Sequence, residues 1–244
     1  MVKVSIALGL RVTANDDYLC FRACIDSIKY YKSYIDEIVI VYSGQDSKLL
    51  DLIYELNSTF SLKLIRLEVS VNEDTRAQAL NLIFRNVSAC YTLILDSDDT
   101  LVKLTNTKCI FDSLCSRVAD IFFFDYIRCY YFSSNNKRFL QHQTYVNTEF
   151  NLEKLYRSNI FPVGTYIFRT DLAREVEIPE KMVYMEDYYF LLSISFKKGV
   201  KIEKFDIPLL NYFIDAEKNH AIKYQNYLDF STVKLKELKC DVWN

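Results

Sequence analysis

The sequence predicts an α/β fold in which a mostly parallel sheet is flanked by helices. In the first half of the chain, short apolar segments alternate with segments whose apolar residues recur at helical spacing. Half of the 244 residues are hydrophobic, which is enough for a full core without disulfide bonds. Because crossover helices cover both faces of a parallel sheet, its strands are uniformly apolar, as these segments are.

The first half, residues 1–119, follows a regular strand–helix order. Asn15 or Asp16 is expected to cap the first helix, because such side chains accept hydrogen bonds from the first-turn N–H groups. The predicted elements are, in order, the strand KVSIALGL, the helix DYLCFRACIDSIKYY, the strand EIVIVYS, the helix SKLLDLIYEL, the strand LKLIRLEV, the helix TRAQALNLIFRNV and the strand YTLILD.

The pattern changes after Asp120. Two aromatic-rich segments separated by the turn-forming SSNNK predict a hairpin, and a strand in VGTYIFRT and a helix in MEDYYFLLSISF follow. We find no linker or repeat. The sequence therefore predicts one domain over residues 1–220, whose smaller acceptor-side half is 120–220, followed by an amphipathic helix over 221–244.

Composition excludes several functional classes. Thirty basic residues against 32 acidic ones give a net charge of −2, without the basic excess of a nucleic-acid-binding protein. Only four glycines are present, and the glycine-rich phosphate loops are absent. Seven cysteines without a C-x-x-C pair indicate reduced thiols in a cytoplasmic protein. The apolar N-terminus is short and interrupted by charge, so we interpret it as a strand and not as a signal peptide.

Three carboxylates, Asp96, Asp98 and Asp99, follow the most apolar strand directly. Ligands of parallel sheets bind beyond the carboxyl ends of the strands. Clustered carboxylates suit hard cations such as Mg²⁺ or Mn²⁺, which complete their coordination with substrate phosphate oxygens. The alternative is an acidic turn that caps the next helix. The residues alone leave both readings open.

The segment RAQALNLIFRNVSACYTLILDSDD resembles the signature region of glycosyltransferase family 2, whose members share the nucleotide-sugar-binding GT-A fold. Arg76 and Asn81 match its helical pattern, and the spacing from Asn81 to Asp96 equals that of the family. The resemblance implies that Asp96 and Asp98 contact the nucleotide ribose and a metal ion, and that Asn81 and Ser97 also lie in the substrate site. That Mn²⁺ or Mg²⁺ ion would bridge the two phosphates of the donor.

A second segment, VGTYIFRTDLAREVEIPEKMVYMEDYYF, resembles the downstream E-D region of the same family. The resemblance implies that Asp187 is the catalytic base and that Glu186 and Gly164 lie in the substrate site. Inverting sugar transfer needs a carboxylate that takes the proton of the attacking acceptor hydroxyl. The alternative for the acidic pair is an ordinary helix start, where the dipole favours negative charge.

The N-terminal segment NDDYLCFRACIDSI matches the family less closely. After the second strand, Tyr42 and Ser43 replace an acidic pair of which one member normally holds the nucleotide base, whereas Gly44 and Asp46 remain. We expect Ser43 and Asp46 near the nucleotide. Tyr42 would either stack on the base or pack in the core.

Three further features have two or more interpretations. Arg11 and Arg76 could contact diphosphate oxygens, which guanidinium groups favour, although Arg11 could equally form a surface ion pair. His220 is a third candidate metal ligand, the alternative being a solvated loop histidine. The apolar stripe of the tail could pack on its own domain, on a second copy in a homodimer, or on an anionic membrane surface.

Together these features predict a cytoplasmic, metal-dependent, inverting glycosyltransferase. It would move a sugar from a nucleotide donor, UDP-linked, to a saccharide or lipid-linked saccharide acceptor in surface polysaccharide or lipopolysaccharide biosynthesis, working at the inner face of the membrane if the tail binds there. Two alternatives remain. One is a nucleotidyltransferase on a similar fold, for which ALGLRVTAND is a poor version of the usual glycine-rich basic loop. The other is a non-catalytic relative that binds sugar nucleotides.

Overall fold

The computed structural model describes residues 6–13, 16–68, 74–103, 111, 114, 118–134, 137–182, 184–215 and 225–243. The strands are β1 (Ile6–Thr13), β2 (Glu37–Ser43), β3 (Ser61–Leu67), β4 (Tyr91–Asp96), β5 (Thr100–Leu101), β6 (Ile121–Ser134), β7 (Lys137–Val146), β8 (Tyr166–Arg169) and β9 (Ile202–Asp215). The helices are α1 (Tyr18–Lys29), α2 (Ser47–Asn57), α3 (Arg76–Asn86), α4 (Leu152–Arg157), α5 (Thr170–Arg174), α6 (Glu186–Ser195) and α7 (Gln225–Trp243).

One mixed sheet runs through both halves of the chain, in the strand order β3-β2-β1-β4-β8-β6-β9-β5, with β7 paired to β6. The strands β3, β2, β1 and β4 are parallel, as the sequence predicts. In the second half, β8 lies antiparallel between β4 and β6. Strands β4 and β6 therefore run in the same direction. The later part of β6, which forms the hairpin with β7, lies at the same end of the sheet as the carboxyl ends of β1 and β4.

Helices cover both faces of the sheet. The helices α1 and α2 bury their apolar sides on one face, in the cluster that includes Phe21, Ile25 and Ile53. The helices α3 and α6 cover the other face, where the rings of Phe84 and Phe190 stack 4.3 Å apart. The α/β class predicted from the alternation of apolar segments is thus confirmed.

The sequence missed β9 and misplaced one helix cap. Strand β9 carries charged residues and Pro208, which has no N–H for a ladder and lies where the register with β6 shifts. The cap of α1 is Asp17, whose side chain accepts from the backbone N of Cys20 at 3.0 Å. Asp16 instead turns back and accepts from the backbone N of Thr13 at 2.8 Å, and Asn15 lies outside the described residues.

The C-terminal helix α7 packs on its own domain. Phe230, Leu235 and Leu238 join the hydrophobic cluster of α3 and α6, and the ammonium of Lys239 lies 5.3 Å from the ring centre of Tyr188. Of the three alternatives for the apolar stripe, intramolecular packing is therefore the one that the structure contains. In the described parts of the chain, no helix is both long and apolar enough to cross a membrane.

Candidate active site

A buried arginine connects the two halves of the site. Arg11 and Asp96 are register partners at the ends of β1 and β4. The Nε and Nη2 atoms of Arg11 donate to the two carboxylate oxygens of Asp96 at 2.7 and 2.6 Å, a bidentate ion pair. Its Nη1 donates to Oε1 of Glu186, at the start of α6, at 2.7 Å. The Arg11 side chain is only 9% exposed, so the surface ion pair considered from the sequence is in fact a buried network.

Glu186 is held as an anion by two guanidinium groups. Nε of Arg76 lies 3.7 Å from its Oε1, in addition to the hydrogen bond from Arg11. Burial of Glu186 by itself raises the pKa of its carboxyl group, but the charges of Arg76 and Arg11 together lower it below the usual value. Arg76 also pairs with Asp74 at 3.0 Å, which fixes its guanidinium at the start of α3.

Asp187 has the opposite protonation behaviour. Its Oδ1 accepts from the backbone N of Tyr188 at 2.8 Å, and its Oδ2 accepts from Nδ2 of Asn159 at 3.4 Å. Burial, followed by the negative charge of Glu186, raises the pKa of Asp187 to about 6, although Arg11 partly opposes the shift. Two adjacent carboxyl groups whose pKa values are driven apart are typical of an acid–base site.

The backbone at Met185 directs the acidic pair. Among the residues that the structure describes, Met185 is the one non-glycine residue with a positive φ, 60°, and it precedes α6 without a side-chain cap. Such left-handed backbone is costly and is concentrated at functional sites. Consecutive helical side chains diverge by about 100°. Glu186 therefore points to Arg11, whereas Asp187 faces a cavity.

The three aspartates after β4 have different surroundings. Asp96 is bound by Arg11, and the buried Asp99 accepts from the backbone N of Phe213 at 2.9 Å. Burial and the neighbouring Asp98 raise the pKa of Asp99 well above its usual value. Asp98 is exposed at the sheet edge. Its exposure makes Asp98 the carboxylate of the cluster that is most accessible to a ligand.

The side chains that could bind a metal ion at this site fit a divalent cation only in part. Within the described portion of the chain, no group of three or more His, Cys, Asp and Glu side chains could hold a metal ion. The exposed Asp98 carboxylate, with Asp96 beside it, offers hard oxygen ligands of the kind that Mg²⁺ and Mn²⁺ accept when phosphate and water supply the rest. His220 lies outside the described residues.

Other residues predicted to bind substrate have structural partners. The side-chain amide of Asn81 pairs with the backbone N and O of Ile178 at 2.9 and 2.8 Å. Asp46 caps α2 by accepting from the backbone N of Lys48 at 2.7 Å. The buried Ser43 accepts from the hydroxyl of Thr75 at 3.2 Å. We therefore do not place Asn81 and Asp46 among the groups that face the cavity.

The loop after β1 contributes Asp16, which the sequence suggested only as a helix cap and not as a site residue. Ser97, between the two key aspartates, donates from its hydroxyl to Asp16 at 2.5 Å. Tyr42 is fully buried, and its hydroxyl accepts from the backbone N of Asp46 at 2.7 Å, so Tyr42 packs in the core and does not present a face to a base. Asp16 could have been suggested by its position three residues after the end of β1, a strand that adjoins β4.

A cavity of about 720 Å³ opens beside Asp187, within the usual size range of ligand sites. The sequence did not suggest its hairpin wall, because the aromatic residues of β6 looked like plain strand packing. An arginine within an aromatic strand was the available signal. The lining residues are Asp96, Tyr126, Arg128, Val146, Asn147, Thr148, Glu149, Lys154, Asn159, Ile160, Pro162, Val163, Asp187 and Tyr212.

Gly164 has a conformational role next to this cavity. Its φ is 88°, and a Cβ atom there would lie 2.9 Å from Cδ1 of Leu210. We expect Gly164→Ala to destabilise the protein by about 1–3 kcal/mol in urea titrations, from backbone strain plus steric overlap. Gly199→Ala is the matched control, because φ is 84° there but nothing lies within 4 Å of the added atom. Equal losses for the two variants would contradict the steric part.

Comparison with known proteins adds fold information. No protein-family model and no curated protein matches the chain. The chain aligns with S. aureus TarS 1-349 in complex with UDP-GlcNAc at a TM-score of 0.66 and 15% identity, over 93% of this chain and 66% of the TarS 1-349 chain. It aligns with the mannosyltransferase PcManGT from Pyrobaculum calidifontis, in complex with GDP-Man and Mn²⁺, at a TM-score of 0.59 and 14% identity. This alignment covers 93% of this chain and 62% of the PcManGT chain. The chain thus spans less than two thirds of these proteins, and at such identities the similarity establishes the fold: a GT-A-like α/β fold, as predicted.

Proposed function

We propose that this protein is an inverting, nucleotide-sugar-dependent glycosyltransferase of the family 2 type, with Asp187 as the general base. The observation that carries the proposal is a carboxyl group with a pKa of about 6 at the wall of a cavity of about 720 Å³, next to Asp96. Two of the solved structures with this fold support it, because each contains a nucleotide sugar, UDP-GlcNAc or GDP-Man.

In the proposed reaction, an acceptor hydroxyl in the cavity attacks the anomeric carbon of the donor sugar. The Asp187 carboxylate takes the hydroxyl proton as the new glycosidic bond forms. The bond between the anomeric carbon and the diphosphate oxygen breaks, and the nucleoside diphosphate leaves with the electron pair. Arg11 donates all its resolved hydrogen bonds to carboxylates, so we assign it the role of positioning Asp96 and α6.

On the donor side, Asp98 and Asp96 would hold a Mn²⁺ or Mg²⁺ ion, which supplies positive charge to the leaving diphosphate. Arg76, whose side chain is 29% exposed, is the guanidinium group that can reach phosphate oxygens. We retain a UDP-linked donor and a saccharide or lipid-linked saccharide acceptor, with the protein in the cytoplasm. The nucleotidyltransferase alternative needs basic side chains that are free at the end of β1, whereas Arg11, near the end of that strand, is buried and paired.

Thermal shift measurements with UDP, GDP and dTDP, each with and without Mn²⁺, test the donor site. We expect UDP with Mn²⁺ at 100 times its dissociation constant to raise the melting temperature by about 5–10 °C. Asp98→Asn should remove the metal-dependent part of this rise. Asp171→Asn, which changes an exposed carboxylate paired with Arg169, should not. If no nucleotide stabilises the protein in the presence of metal, the donor site does not exist as proposed.

A further inference from the structure

One face of the β6–β7–β9 sheet forms a wall of the cavity beside Asp187. Tyr126 and Arg128 alternate on β6 and so project to the same side. Their register partners Val146 on β7 and Tyr212 on β9 lie next to them. All four residues line the cavity. The proposed roles of Asp187, Asp96 and Asp98 leave this wall without a function.

Arg128 brings an uncompensated positive charge to this wall. Its Nη2 donates to the Tyr126 hydroxyl at 2.8 Å, and its buried Nε has no hydrogen-bond partner. Among residues with described side chains, no carboxylate forms an ion pair with it. By contrast, Lys154, the other cation of the lining, pairs with Glu149 at 2.8 Å. An arginine whose donors are incompletely used favours an anionic ligand, because guanidinium groups bind carboxylate and phosphate through paired N–H groups.

Aromatic rings adjoin this charge. The rings of Tyr126 and Tyr212 pack edge to face, with centroids 6.2 Å apart, and the Arg128 guanidinium lies 5.7 Å from the Tyr126 centroid. Such rings offer apolar faces with polar hydroxyl ends, which suit the mixed surface of a sugar. The wall thus combines a surface for a sugar ring with a cationic group beside it.

We infer that the acceptor carries an anionic group, a phosphate or a carboxylate, and that Arg128 binds this group while the reacting hydroxyl lies at Asp187. The inference rests on the proposed function and deepens it by giving the chemical class of the acceptor. Arg128 would thereby determine acceptor specificity. We expect donor binding, which the proposal assigns to Asp98 and Asp96, to be independent of Arg128.

The test compares three small probes, glucose, glucose 6-phosphate and glucuronate, by calorimetric titration of the full chain with UDP and Mn²⁺ present. At least one charged probe is expected to bind about tenfold more tightly than glucose, as one charge-assisted hydrogen-bond pair provides. Preference for glucose 6-phosphate indicates a phosphate acceptor, and preference for glucuronate indicates a carboxylate. Equal binding of all three probes to the wild-type protein overturns the inference.

The variants locate the effect. Arg128→Gln should abolish the preference for the charged probe, and Arg128→Lys should retain part of it. Arg157→Gln, which removes an exposed cation of α4 outside the cavity lining, should leave the preference intact. A full preference in a folded Arg128→Gln protein overturns the inference. If no charged probe is preferred but UDP and Mn²⁺ still stabilise the protein, the inference fails and the proposed function stands. If a charged probe is preferred but no nucleotide binds, the proposed function is contradicted and the anion preference of the cavity is not.

Discussion

Replacing Arg11 with methionine is expected to destabilise the protein by about 3–5 kcal/mol. The substitution removes the cation that binds both oxygens of Asp96 and one oxygen of Glu186. The Glu186 side chain is only 3% exposed, so its charge cannot be compensated by water after the loss. Removal of one partner from a buried ion pair characteristically has this magnitude, because the remaining charge stays buried. Urea unfolding at pH 7 measures the difference.

A surface arginine provides the matched control. Arg85 pairs with Glu177 at 2.8 Å, but both side chains are more than half exposed. Arg85→Met should therefore change the free energy of unfolding by less than about 1 kcal/mol. Arg11→Lys should be intermediate, because lysine keeps the charge but cannot form the bidentate pair. A loss below about 1 kcal/mol for Arg11→Met at pH 7 would show that the network is not a stabilising feature.

The pH dependence separates charge from lost packing. In Arg11→Met, Glu186 keeps the charge of Arg76 but loses the charge and hydrogen bond of Arg11, so the pKa of its carboxyl group in the folded protein should rise relative to the wild type. The resulting penalty is then fully present well above that pKa and disappears as the pH falls through it. The deficit relative to wild type should thus shrink in acid, where both proteins can be compared while folded. A deficit independent of pH would assign the effect to packing alone.

Local patterns in the sequence predicted the first half of the fold because its strands and helices are strongly periodic and apolar. Asp96, Asp98 and Asp187 were predicted as site residues from the resemblance to glycosyltransferase family 2. The network in which Arg11 joins Asp96 to Glu186 was not predictable in this way. Arg11 and Glu186 are 175 residues apart in sequence, and only the tertiary fold brings them into contact.

The cavity wall was missed for a related reason. Its aromatic residues are compatible with ordinary strand packing, and the second long strand that completes it, β9, is interrupted by Pro208. Tyr212 becomes part of a site only through its register with Arg128. Register between distant strands depends on packing that a local pattern does not encode. The fold class was therefore predictable, whereas the hairpin wall of the cavity was not.

Replacing Asp187 with asparagine is expected to reduce kcat by about 10²–10⁴-fold, since the amide cannot take the acceptor proton. UDP–Mn²⁺ stabilisation should remain, because Asp98 and Asp96 are untouched. In the wild-type protein, the proposed base would work as the carboxylate, so kcat/KM should rise with pH through about 6. Asp171→Asn is the control for loss of a carboxylate outside the cavity. Unchanged turnover in Asp187→Asn would exclude this residue as the base.

Glu186→Gln should move the pH profile without removing the base. The negative charge of Glu186 raises the pKa of Asp187, and Arg11 lowers it. Neutralising Glu186 removes the first influence and leaves the second, so the midpoint of the rise should fall below about 6. An unmoved midpoint would indicate that a different group titrates.

Stability should change in the opposite direction to activity in Asp187→Asn. A carboxyl group whose pKa rises from 3.8 in the unfolded chain to about 6 in the folded protein opposes folding once it is ionised. Below pH 3.8 this penalty is absent, and it grows as the pH rises to about 6, above which it is complete.

Asparagine is uncharged throughout, so the variant should gain stability over the wild type across this interval and keep the gain at pH 7. Urea unfolding at pH 4 and pH 7 measures it, and a variant less stable than wild type at pH 7 would contradict the raised pKa. A carboxylate that is destabilising where it is and required for turnover is the combination expected of a catalytic base, because burial beside Glu186 is what brings its pKa near neutrality.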